Sequence, residues 1–252
     1  MDINNTKKRL MRTLVAVTVL LFSLSCFILA PLYTYMCADI LFAATAMPDI
    51  IKLLIDIIDV ISYALCFSTI IYSIFKFSLV GSVRIIIIYC FAIFLKYAAN
   101  LGITLIFDGR ISPESAIYVL VYFVLDAVIL LAIALVTSSV FKKYSERRAI
   151  TKKANNALGI ATQSVEDELF GGNRLFVLSN PLHRSALFTG IILSAIKIVS
   201  RILFDIAYGA PKTLSDALWM IAYYISDILI AIIVYAISLY MFTHFNEKEQ
   251  KN

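Results

Sequence analysis

Charge is what this chain has least of. Asp, Glu, Lys and Arg make up 15% of its 252 residues, against about a quarter in an ordinary soluble domain. The 61% of residues that are hydrophobic gather in long uninterrupted runs, and the mean hydropathy is +0.89. That pattern excludes a water-soluble globule and points to transmembrane helices. The formal charge of +5 is therefore not a nucleic-acid footprint. What matters is where the charges lie.

Glycine is scarce too. Of eight glycines only Gly102 and Gly190 lie well inside apolar runs, although membrane helices commonly use glycine for close crossings. Few such crossings and few hinges argue against a large rocking-bundle transporter. The four cysteines, Cys26, Cys37, Cys66 and Cys90, show no Cys-x-x-Cys or Cys/His spacing and read as small hydrophobes. His183 and His244 fall at the ends of apolar runs. No metal site and no cofactor is expected.

Motifs of catalysis are missing as well. There is no His-Glu-x-x-His, no paired-glutamate motif and no Gly-x-Ser-x-Gly, and Gly171–Gly172 lacks the Lys-Ser/Thr that completes a nucleotide-binding loop. Asp126 and Asp227 at one depth would suit an aspartyl intramembrane protease, but the glycine-containing setting of such sites is absent. The expectation is a protein that is not an enzyme.

What is present is six long apolar runs, at about 13–36, 48–75, 83–107, 113–141, 182–208 and 214–245. Each exceeds the ~20 residues needed to cross a ~30 Å hydrocarbon layer. The first follows a basic start, as a signal peptide would, but continues through Tyr35 and reads as an uncleaved helix. Pro48, Pro113 and Pro211 stand at or just before helix starts, where a missing N–H costs nothing, and Pro31 is expected to kink the first helix. The connections FDGRISPE and YGAPKTLSD suit only antiparallel neighbours. The sequence predicts an all-α integral membrane protein of six transmembrane helices in three antiparallel hairpins, forming one domain over residues 1–252, with a cytoplasmic loop at 142–181.

Orientation follows from Lys and Arg. Sixteen fall on one side: Lys7, Lys8, Arg9 and Arg12, then Lys76 and Arg84, eight between Lys142 and Arg184, and Lys248 with Lys251. Only Arg110 and Lys212 fall on the other. Both termini are expected in the cytoplasm, and the expected location is the plasma (inner) membrane.

The remaining basic residues, Lys52, Lys96, Lys197 and Arg201, lie inside the apolar runs together with Asp56, Asp59, Asp126, Asp205 and Asp227. Each isolated charge at a helix centre costs ~2.5–3.5 kcal/mol, so these groups must pair, snorkel, lose their charge or line water. Lys96 and Asp126 are equidistant from the turn near residue 111, and Lys197 and Asp227 from the turn near 212. In an antiparallel hairpin equidistant residues share a depth, so two Lys–Asp pairs are expected. The two hairpins align without a gap at an offset of 101, setting YFVLD over YYISD, a possible duplication.

On the second run, Asp49, Lys52, Asp56, Asp59, Tyr63 and Cys66 follow a 3-4-3-4-3 spacing that puts them on one stripe. Lys52 is placed to pair with Asp56 one turn on, which leaves Asp59 without a local partner. On the fifth, Ser194, Lys197, Arg201, Asp205 and Tyr208 form a second stripe, from which Arg201 would pair with Asp205 or reach Asp59.

Two functions fit these charges. One is a transport component or solute-binding membrane subunit whose site is lined by Asp56, Asp59, Lys96, Asp126, Lys197, Arg201, Asp205 and Asp227. The other is a non-transporting scaffold in which the same charges are structural clamps. The loop offers a basic helical extension, KKYSERRAITKK, suited to anionic headgroups. It then offers a mixed segment that either lies along the membrane interface or docks a cytoplasmic or membrane protein through Glu166, Asp167, Glu168 and Arg174. The lipid bilayer is the expected surrounding, an oligomer is compatible, and nucleic acid is not expected.

Overall fold

The computed structural model describes residues 3–32 and 47–158, then 180, 184, 187, 188, 191, 195, 199, 225, 228–230 and 232–238. Three helical elements make up its continuous part: α1 (Ile3–Leu24), α2 (Met47–Asp108) and α3 (Pro113–Ala157). Among the described residues there is no strand. The expected fifth and sixth helices lie mostly outside the described residues, apart from a shorter apolar helix, Ile228–Ser238.

Among the described residues four segments are long and apolar enough to cross a membrane: Met11–Leu32, Ile57–Phe75, Phe77–Ile106 and Val119–Ala157. Many of their large side chains face outward, including Leu20, Ile87, Phe91, Leu120 and Val128, while Thr18, Ser62, Ser68, Ser73 and Asp126 are buried. Exposed in water, such apolar area would cost ~25 cal/mol per Å². Against lipid it costs nothing, and small or hydroxylated residues inside let helices approach closely.

α1 begins at Ile3, so the basic start is helical rather than a flank, and it runs on into a π-helical turn over Ser25–Leu29. There the Ala30 N–H bonds to Ser25 O, an i to i−5 link in place of i−4. Pro31, lacking an N–H, cannot bond to Phe27 O. The departure from α geometry thus lies just before Pro31, and helical structure continues to Leu32.

α2 corrects the expected loop between the second and third runs. Helical structure is continuous across 76–82 except at Ser78, whose φ of 65° and ψ of 173° are non-helical. That single residue turns the chain back on itself. Asp59 and Lys96 are 37 residues apart and touch, whereas an unbroken helix would hold them about 55 Å apart at 1.5 Å per residue. The first arm (47–77) and second arm (79–108) are therefore the two sides of a hairpin with almost no loop. Ser82 Oγ donates to Ser78 O at 2.7 Å. The second arm ends at Gly109, where φ is +69° and the N–H bonds to Leu105 O, a left-handed cap that glycine adopts without penalty.

The chain divides into two compact units. One comprises 4–66 and 83–131. Its buried side chains include Phe22, Tyr63, Cys66, Tyr89 and Ile93. The other comprises 1–3, 67–82 and 132–252. In it Ile70, Ile74, Ile133 and Val234 are buried, Ser68 Oγ donates to Val234 O at 3.1 Å, and Phe75 meets Phe141 edge-on.

Candidate functional site

Within the first unit, α1, both arms of α2 and the start of α3 bring a connected set of polar side chains together. Its centre is Asp59, on the first arm. Lys96 Nζ, from the second arm, donates to Asp59 Oδ2 at 2.6 Å, and Ser25 Oγ, from the π turn, donates to Oδ1 at 2.9 Å. A carboxylate with one donor on each oxygen, one of them an ammonium, is a charge-assisted arrangement. The Lys96 side chain is 11% exposed and that of Asp59 23%.

Two rings also lie beside the ammonium. Lys96 Nζ lies 4.9 Å from the Tyr63 ring centroid and 5.8 Å from that of Phe22. Both are within the ~6 Å at which a ring face attracts a cation. The rings pack edge to face, their centroids 5.2 Å apart at 83°, the preferred aromatic geometry.

The second carboxyl group is Asp126 on α3, which is 8% exposed. Tyr63 OH donates to its Oδ2 at 2.5 Å, and Tyr97 OH donates to the same oxygen at 2.8 Å. Two donors occupy both acceptor directions of that oxygen. Tyr97 is held in place by edge contact with Phe123, which also meets Phe94. Tyr63 joins the two halves of the cluster, since its ring lies beside the Lys96 ammonium while its hydroxyl holds Asp126.

Lys96 therefore does not pair with Asp126, and Asp59 does not lack a partner. Equal depth does govern the pairing, but across the reversal at Ser78 rather than the turn near 111. Lys96 has an acid at matching distance across each of two reversals, Asp126 across the one near 111 and Asp59 across the one at Ser78. The reversal expected between the second and third runs spans 76–82, too broad to set Asp59 opposite Lys96 until Ser78 places it. Tyr97, one residue on, is equidistant with Asp126 from the turn near 111 and takes the contact assigned to Lys96. Adjacent helical residues point ~100° apart, so Lys96 faces the first arm while Tyr97 faces α3.

Of the other expected site residues, Asp56 lies in the first arm, but its side chain, like that of Lys52, is outside the described residues. Lys197, Arg201, Asp205 and Asp227 also lie outside them, as do Glu166, Asp167, Glu168 and Arg174. Sequence reasoning missed Ser25, Phe22 and Tyr97. Ser25 and Phe22 carried no signal, because serine and phenylalanine in an apolar run are unremarked. Among the described residues, no group of three His, Cys, Asp or Glu side chains is placed to hold a metal ion.

Fold and cluster together define a class. Among the described residues the chain is helical, with four helices suited by length and composition to a membrane, and a polar network is built between them. Set against protein-family models, curated proteins and solved structures, the chain matches none.

Proposed function

We infer that this is a multi-pass membrane transport component, and that the cluster of Asp59, Lys96 and Asp126 belongs to its site for a small polar or charged solute. The observation that carries the reading is a charge imbalance. Two carboxyl groups and one ammonium share a connected network, and among the described residues no cation lies within ion-pair distance of Asp126. A clamp needs matched charges, since an unmatched one costs several kcal/mol in a low-dielectric setting. Ionisable groups kept at such depth characteristically mark solute and proton paths. The reading includes six transmembrane helices in three hairpins, both termini in the cytoplasm and a plasma-membrane location. It assigns no catalysis, metal or cofactor.

One observation favours the scaffold alternative: the Lys96–Asp59 bond is short and its ammonium is largely covered. Water access separates the two. In a chain whose own cysteines are replaced by alanine, Ser25→Cys in membrane vesicles is expected to react with a cationic methanethiosulfonate, and Leu20→Cys, facing outward, is not. A Ser25→Cys thiol as inert as that control would leave a dry clamp and the scaffold reading.

A further inference from the structure

Asp59, Ser25, Tyr63 and Phe22 surround an ammonium group with the features that recognise one: a carboxylate, a hydroxyl and two ring faces. The present occupant is a side chain of the protein, so the chemistry of the site is shown by what sits in it. A lysine ammonium differs from a soluble ligand only by its tether of four rotatable bonds.

A tethered occupant is useful only if it can leave, and a buried ammonium leaves at a cost of several kcal/mol unless another anion receives it. Within this cluster the carboxyl group of Asp126 is the receiver. It is nine-tenths buried, and among the described residues its partners are hydroxyls rather than a cation. It lies level with Lys96 by distance from the turn near 111, and Tyr97, the next residue, already touches it. Tyr63 spans the gap, its face against the ammonium and its hydroxyl on Asp126, so the lysine would cross along an attractive ring surface.

Resting on the transport reading of this cluster, we propose that Asp59, Ser25, Tyr63 and Phe22 form a binding site for the ammonium group of a small protonated amine, and that Lys96 is its resident competitor, yielding the site by moving to Asp126. Binding and counter-ion exchange are one event: the incoming cation neutralises Asp59 as Lys96 neutralises Asp126. Among the described residues the site holds two carboxyl groups and one lysine, which leaves room for one further monovalent cation.

Methylammonium is the smallest probe of this chemistry. The full chain in detergent is followed by thermal unfolding across a methylammonium chloride series, with potassium chloride at matched ionic strength. Wild type is expected to show a saturable stabilisation above the potassium series, and Lys96→Ala the same with at least tenfold tighter apparent affinity, because a tether competes at an effective concentration of the order of millimolar. Asp59→Asn is expected to lose it. Asp126→Asn is expected to weaken wild-type affinity several-fold, and to do so less than threefold when combined with Lys96→Ala.

A Lys96→Ala response no greater than that to potassium, or a response kept by Asp59→Asn, overturns the site. Response in Lys96→Ala with none in wild type overturns the exchange and leaves a permanent lysine clamp. Where Lys96→Ala unfolds on extraction, extraction in each salt reads the same point: recovery with methylammonium alone supports the site, and equal recovery or none in either overturns it. Reaction at Ser25→Cys combined with no methylammonium effect removes this proposal while the transport reading stands. An inert Ser25→Cys removes both.

Discussion

At the scale of the residue, a single tyrosine does two jobs with two ends. The Tyr63 ring faces an ammonium and its hydroxyl faces a carboxyl group. Tyr63→Phe keeps the ring and removes the donor. It is expected to lower stability by ~0.6–1.7 kcal/mol, the range for interhelical hydrogen bonds in membranes, read by unfolding in detergent. Tyr97→Phe should behave alike. Because both hydroxyls bond to one oxygen, the double variant should cost more than the sum, as only it strips Asp126 of both donors. For the ion pair the order reverses. Lys96→Met alone is expected to destabilise by up to ~3 kcal/mol, the low end for a broken buried pair because Asp59 keeps some exposure. Lys96→Met with Asp59→Leu should recover most of that loss.

At the scale of the element, the α2 hairpin depends on one strained residue. Ser78 occupies a region of φ and ψ that is essentially reserved for glycine and costs other residues ~1–3 kcal/mol. Ser78→Gly is expected to raise stability by about 1 kcal/mol, after the ~0.5–1 kcal/mol that glycine loses in chain entropy, seen as a higher midpoint of thermal unfolding. Gly81 gives the opposite sign. A Cβ there would lie 2.8 Å from Phe77 Cβ, a position fixed by backbone rather than a pliable tip. Although alanine gains up to ~1 kcal/mol over glycine in helix propensity, Gly81→Ala is expected to destabilise by about 1 kcal/mol net, since overpacking costs ~1–3 kcal/mol. The π turn in α1 matters at this scale as well, since it carries both Ser25 and Cys26 to buried positions and Ser25 to Asp59.

At the scale of the whole molecule, the distribution of Lys and Arg makes a topological prediction. In a chain whose own cysteines are replaced, an impermeant thiol reagent applied to intact cells should label Arg110→Cys, while Arg147→Cys should react only after the membrane is opened. Labelling of Arg147→Cys from outside would reverse the orientation. α3 spans 45 residues, about 67 Å at 1.5 Å per residue, more than twice the ~30 Å hydrocarbon layer. Its basic end, with Lys142, Lys143, Arg147, Lys152 and Lys153, is exposed, as a segment reaching into water requires.

By itself the sequence determined that the chain is helical and apolar enough for a membrane, because those properties are sums over twenty or more residues and survive any error at one position. It also determined which ionisable residues needed partners, since the cost of a charge in hydrocarbon does not depend on the fold. Partner choice was different. Lys96 had two acids at matching depth, and only the position of the reversal at Ser78 and the ~100° between Lys96 and Tyr97 decided that lysine meets Asp59 and tyrosine meets Asp126. Pairing is a property of three-dimensional direction. Composition and spacing carry depth along a helix, but the azimuth of a side chain toward one neighbour or another is set only when the helices pack.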